Sequence, residues 1–307
     1  MGNSTSQSRL AYITEVTWGT TPATPGMTAV RMTGESLNAN IDNVVSDEIR
    51  ADRNVSDLIQ VGQSSGGAVD FELTYGGFTD DFLESLMFSA WSTNVLKNGI
   101  VQKQFTLEKT FETGATDQYH RLTGAVVNSM SLSMAAGSIV TGSFDFVAKG
   151  LAVTQAIITG ATYTAGNTNT PINAATNFAS LAMTGVTAPA LTALDLNITN
   201  NVDLQRVLGS LDGRDVTPGR FEVSGSLTAY FENATMYALF LAGTAADLTF
   251  KLGGASSKNY LFNIPSLKFE NAQVVAGGND QPLLITTDFR GLFNAGEAAS
   301  LKITRTP

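Results

Sequence analysis

Val69-Asp70-Phe71-Glu72-Leu73-Thr74-Tyr75 alternates apolar and polar residues, and Val223-Ser224-Gly225-Ser226-Leu227-Thr228-Ala229-Tyr230 does the same in the other half of the chain. Period-two alternation marks a half-buried strand. Each stretch leads into a short segment with helical spacing. The first is Asp80-Asp81-Phe82-Leu83-Glu84-Ser85-Leu86-Met87, and the second is Asn233-Ala234-Thr235-Met236-Tyr237-Ala238-Leu239-Phe240-Leu241. The spacing predicts a helix after each strand, opened by an Asp or Asn cap whose oxygen accepts from free N–H groups of the first turn. Leu73-Thr74 aligns with Leu227-Thr228 without a gap. Strand, cap and helix thus occur twice in the same order, which reads as an internal duplication.

The flanks repeat as well. Leu37-Asn38-Ala39-Asn40-Ile41 and Leu194-Asp195-Leu196-Asn197-Ile198 precede the strands. Phe105-Thr106-Leu107-Glu108-Lys109 and Leu248-Thr249-Phe250-Lys251-Leu252 follow the helices, and each half closes on an Asp-Phe strand at Asp145-Phe146 and Asp288-Phe289. The expected organisation is mainly β, with two tandem modules, 1–150 and 151–307. Each is an antiparallel sheet or sandwich with one short α-helix on one face. The second opens with an arm over 151–192 that carries no charge and is rich in Thr, Ala and Asn. In the first, Trp18–Gly26 is the matching arm, Met1–Gln7 is a polar flexible arm and not a secretory signal, and 42–67 is a long loop. Met1-Gly2 with Ser6 fits a loose myristoylation pattern, but no polybasic patch follows, so no lipid anchor is expected.

Composition excludes several functions. Of 307 residues, 43% are apolar, enough for a large core, while only 15% are charged. Small neutral polar residues make up the difference. A surface of that kind carries little side-chain entropy and few ions to desolvate when copies pack together. The net charge of −9 rules against binding nucleic acid by phosphate neutralisation. No Cys is present, so there is no disulfide or thiolate chemistry, and no apolar run is long enough for a membrane helix.

Catalytic patterns are missing. His120 is the sole histidine, and it cannot build a zinc site unaided. Asp80 and Asp81 suit a helix start, and Asp280 sits in a Gly-Gly-Asn-Asp turn that lacks the alternating ligands of a calcium loop. The expectation is no enzyme activity, no cofactor and no metal. The alternation does define a polar face. In the first half it comprises Asp70, Glu72 and Thr74, Ser129, Ser131 and Ser133, and Thr141, Ser143 and Asp145. In the second it comprises Glu222, Ser224, Ser226 and Thr228, Lys268 and Glu270, and Thr286 and Asp288.

Arg9-Leu10-Ala11-Tyr12-Ile13-Thr14-Glu15-Val16-Thr17-Trp18-Gly19-Thr20-Thr21-Pro22 resembles the opening of the tail tube proteins of long-tailed bacteriophages. Ser46–Arg53, Ile198–Ser210, Gly225–Glu232 and Asn263–Phe269 resemble other motifs of that family, in the same order, so the resemblance spans nearly the whole chain. It implies a structural virion protein, a siphophage-type major tail protein. Its sheets would join between subunits into a barrel, and its rings would stack into a tube that delivers DNA. With a duplicated module, three chains would give a pseudo-sixfold ring. The resemblance also implies partners: other copies, the tail tip or initiator, the tape measure, the terminator, and double-stranded DNA as passing cargo, with assembly in the host cytoplasm and no membrane. On this reading the polar face lines the lumen, where acids and hydroxyls let DNA slide. The 42–67 loop would contact a neighbouring ring or subunit. Its residues are Asp47, Glu48, Ile49, Arg50, Asp52, Arg53, Val55, Asp57, Leu58 and Ile59, with the Arg and Asp side chains making ion pairs between rings. The competing readings are another tail component such as a terminator, and an adhesin or carbohydrate-binding module using Trp91, Tyr163 or Tyr237 as a sugar platform.

Overall fold

A computed structural model describes residues 5–113, 116–186, 189–276 and 278–307; Met1 and Gly2 lie outside them. In chain order the first half holds β1 (Ser8–Thr14), β2 (Gly26–Ala29), β3 (Gly34–Glu35), β4 (Asn38–Val45), β5 (Leu58–Glu72), α1 (Phe78–Met87), β6 (Val95–Lys97), β7 (Phe105–Phe111), β8 (Gln118–Ala135) and β9 (Thr141–Ala148). Then come β10 (Gly150–Thr154), β11 (Thr162–Thr164), β12 (Phe178–Met183), β13 (Leu191–Thr199), β14 (Asp203–Gln205) and β15 (Asp215–Thr217). The chain ends with β16 (Glu222–Tyr230), α2 (Thr235–Ala242), β17 (Ala246–Gly253), β18 (Asn259–Val275), β19 (Leu284–Gly291) and β20 (Lys302–Thr306).

The central sheet runs β5-β9-β8-β13-β16-β19-β18, every neighbour antiparallel. β8 and β18 are long because each serves two sheets. The first part of β8 pairs with β7 and β10, and its second part with β9 and β13. The first part of β18 pairs with β17 and β20, and its second part with β19. Each long strand carries a bulge where it passes into the central sheet, between Val127 and Ser129 and between Phe269 and Asn271. A bulge adds one residue and sharpens the local twist, which lets one strand bend from one sheet into another.

One hydrophobic core runs under both halves. Phe82 of α1 is fully buried, with ring centroids of Tyr12, Phe105, Phe144 and Phe146 at 5.1, 5.2, 5.5 and 5.1 Å. α2 docks on β18 as α1 docks on β8, but only its Met236 is fully buried. Neither helix has the expected cap. Gly77 and Ala234 hold the N-cap positions with no side-chain bond. Asp80 and Asp81 lie inside the first turn, where long-range partners take their carboxylates, while Asn233 still accepts from the Thr235 N–H at 3.0 Å.

The alignment of Leu73-Thr74 with Leu227-Thr228 also shifts. Leu227 and Thr228 lie within β16, whereas Leu73 and Thr74 lie beyond the end of β5. Asp70 faces Ser143 of β9 as Thr228 faces Thr286 of β19, so Asp70 is the positional match of Thr228. Of the uncharged 151–192 stretch, β10 pairs with β8, β11 pairs with β2, and β12 pairs with β17.

Local contacts tie the halves together and tighten the packing within each. The fully buried Tyr260 accepts from the Gly76 N–H at 2.8 Å and donates to Asp80 at 2.6 Å, and Arg305 donates to the same carboxylate at 2.6 Å. In addition, Gly142 and Gly225 give up a side chain so that the Phe71 and Phe289 rings can lie on the backbone. A Cβ at Gly142 would stand 2.7 Å from Phe71, and one at Gly225 would stand 2.5 Å from Phe289. Tyr260→Phe should therefore lower stability by about 1–3 kcal/mol, since the Gly76 donor and the Asp80 carboxylate lose a buried partner. Gly142→Ala and Gly225→Ala should each cost roughly 1–3 kcal/mol through overpacking. Denaturant midpoints at unchanged slope would register all three losses.

Candidate functional site: a polar sheet face and a projecting hairpin

Strand pairing turns the sequence alternation into rows. Across the sheet, Asp70, Ser143, Ser131, Asn197, Ser224, Arg290 and Lys268 stand opposite one another in turn. The next row is Glu72, Thr141, Ser133, Asp195, Ser226, Asp288 and Asn271. Asp145, Ser129, Thr199 and Glu222 form a third row, and Thr228 faces Thr286 in a fourth. Glu270 occupies the bulge of β18 and reaches Arg290 at 2.5 Å. Sixteen of the seventeen expected residues thus share one face. Thr74 does not: it is past the end of β5, 1% exposed, and accepts from Asn167 at 3.4 Å. Alternation carried one step too far explains that error.

The sequence reading missed Asp195, Asn197 and Thr199 of β13, together with Arg290, Asn271 and Gln273. Leu194-Asp195-Leu196-Asn197-Ile198 carries the same period-two signal, but its place beside β8 is set by strand pairing that the sequence does not show. Ser133 donates to Asp195 at 2.7 Å, so the boundary between the halves has a side-chain bond on this face. The charges are Asp70, Glu72, Asp145, Asp195, Glu222, Glu270 and Asp288 against Lys268 and Arg290. Arg290 lies between Glu222 at 3.3 Å and Glu270, which relieves its position opposite Lys268. Hydrogen bonds from Arg220, and more weakly Arg290, hold the Glu222 carboxyl below its ordinary value.

The 42–67 segment is not a loop but most of a β-hairpin. β4 and β5 pair from Asn38 opposite Gly66 to Val45 opposite Leu58, which leaves only 46–57 as the tip. Leu58 and Ile59 lie in β5, whereas Asp47, Glu48, Ile49, Arg50, Asp52, Arg53, Val55 and Asp57 belong to the tip. Arg50 is paired with Asp52 at 2.7 Å within the tip. Apolar side chains remain bare. Ile49 is 99% exposed, and Ile41, Val44, Val55, Ile59 and Val61 are more than half exposed. The β14–β15 hairpin stands beside this one: Arg206 pairs with Asp42 at 2.6 Å, and the Leu211 carbonyl accepts from the Gln63 N–H at 2.9 Å. Its Leu208 is fully exposed. These exposed aliphatic side chains of the two hairpins form an apolar surface.

On the edge of the sheet, the Ser36 N–H donates to Ala68 of β5, which turns the N–H and carbonyl of Leu37 outward. Those groups are held by side chains. The N–H donates to Glu35 at 2.9 Å, and the carbonyl accepts from Lys109 at 2.7 Å. Glu35 and Lys109 are themselves paired at 2.9 Å.

The rival sites lose their geometry. Arg305 covers Trp91 at 4.5 Å, Arg9 covers Tyr163 at 3.8 Å, and Tyr237 packs on Phe240 at 6.0 Å. His120 packs edge-on against Phe111 at 5.1 Å, and burial, with Lys109 nearby, lowers its pKa. Among the described residues no cluster of His, Asp and Glu could hold a metal ion, and no helix is long and apolar enough to cross a membrane.

A search among curated proteins finds no match to the chain. The sequence model of the phage tail tube protein family matches residues 5–291. Such a match covers almost every element that builds the polar face and the hairpin, and the chain belongs to the phage tail tube protein family.

Proposed function

We propose that this chain is a ring-forming subunit of a phage tail tube. It comprises two homologous modules, with a boundary near residue 150, and assembles as homotrimers with pseudo-sixfold symmetry. The observation that carries this reading is the strand order. In the first half the order is β5-β9-β8 with α1 on β8, and in the second it is β16-β19-β18 with α2 on β18. The two are already joined edge to edge by β8 and β13. Repeating that join between chains continues the sheet, and a repeated head-to-tail contact closes when its rotation allows. A closed sheet has no edge left to template uncontrolled pairing.

In such a ring the polar face lines the lumen. Carboxylates and hydroxyls along DNA's path give phosphates no cation cluster to grip, since seven acids stand against one lysine and an arginine already paired with Glu222 and Glu270. The β4–β5 hairpin, with the β14–β15 hairpin beside it, contacts the next ring through aliphatic side chains. The tail tip or initiator and the terminator cap the two ends, the tape measure and then DNA occupy the lumen, and assembly precedes release from the host cell. This is the reading of a major tail protein of a siphophage.

Concentrated purified protein, seeded with a tail-tip complex, should give hollow tubes of uniform width in negative stain, with threefold or pseudo-sixfold ring averages. Monodisperse chains under those conditions would defeat the ring reading. Replacing 47–56 by Asn-Gly, a two-residue hairpin turn, should leave the thermal midpoint unchanged and abolish tubes while sparing single rings. Normal tubes from that variant would remove the hairpin from the stacking contact.

A further inference from the structure

Resting on the ring reading, we infer that the seam between neighbouring copies is β18 of one chain, over Asn271–Val275, against Ser36–Asn40 of the next. The register follows from the seam inside the chain. There β8 and β13 place Ser129 opposite Thr199, Ser131 opposite Asn197 and Ser133 opposite Asp195. The bulges align the long strands, so Ser129 matches Asn271 and Ser131 matches Gln273. On the other side, Gly34 pairs with Asp70 as Ala193 pairs with Thr228, and Asn38 pairs with Gly66 as Asn197 pairs with Ser224. Asn38 is therefore the counterpart of Asn197, and Asn40 that of Thr199. The inferred seam sets Asn38 opposite Gln273 and Asn40 opposite Asn271.

Three observations support this seam. First, both edges are open. Among the described residues, Lys268–Val275 pairs only with β19, and β3 and β4 pair only with β5. Second, the chemistry matches. The four polar-face residues are exposed neutral amides, which can bond across strands without like charges meeting. On the opposite face Leu37 and Ala39 meet Ala272 and Val274, completing the apolar layer. Third, Glu35 and Lys109 already hold the outward backbone groups of Leu37, as a neighbouring strand would. An exposed edge is an aggregation hazard, and side chains that occupy it blunt that hazard until the proper strand replaces them.

Cysteine cross-linking tests the register on a background with no Cys. Asn38→Cys with Gln273→Cys, and separately Asn40→Cys with Asn271→Cys, should yield chain-to-chain disulfides in assembled tubes. The offset pair Asn38→Cys with Asn271→Cys should react about tenfold less, because disulfide geometry tolerates little displacement. In parallel, amide exchange of the wild-type protein should slow at 36–40 and 271–275 on assembly. Tubes that cross-link only through the offset pair, or that leave those amides unprotected, would overturn the seam while leaving the ring reading intact. Wild-type protein that forms no oligomer with a tail-tip complex would instead defeat the ring reading itself.

Discussion

The backbone ladder between β8 and β13 is the contact on which the rest of the structure depends. It runs from Ser129 opposite Thr199 to Ala135 opposite Ala193 and joins what would otherwise be two separate sheets. Because it fixes register, it also fixes which side chains face which way. A slip of one residue would send Leu194, Leu196 and Ile198 to the wet face and Asp195 and Asn197 into the core. The single core and the continuous polar face are therefore two consequences of one pairing.

The halves reach similar architecture with unequal packing. α1 buries Phe82 among aromatic rings and sends Asp80 and Asp81 to Tyr260, Arg305, Tyr12 and Lys103, so it is tied to both halves. α2 is apolar on every side yet buries only Met236 fully. A helix without a polar face usually lies inside a protein. Here its Leu241 is exposed.

Much of this was legible in the sequence. Period-two alternation located the strands of both halves and placed sixteen polar residues on one face. It failed at Thr74 because alternation does not say where a strand stops, and Gly76 and Gly77, both at positive φ, lie just beyond. The cap assignments failed because Asp80 and Asp81 answer to residues far away in sequence, which no local rule detects. The 42–67 stretch reads as a loop because its apolar residues are exposed on a paired ladder, so neither burial nor turn chemistry announces the strands. Strand-to-strand order was also invisible, and with it the place of β13 in the polar face.

The bulges of β8 and β18 have a geometric consequence. Each sits where a long strand enters the central sheet, one in each half, so curvature comes from an extra backbone residue and not from the identity of the side chains around it. In a closed assembly built this way, the bore radius is a property of the main chain. Residues on the polar face can then change, and the electrostatic character of the channel with them, while its calibre stays constant.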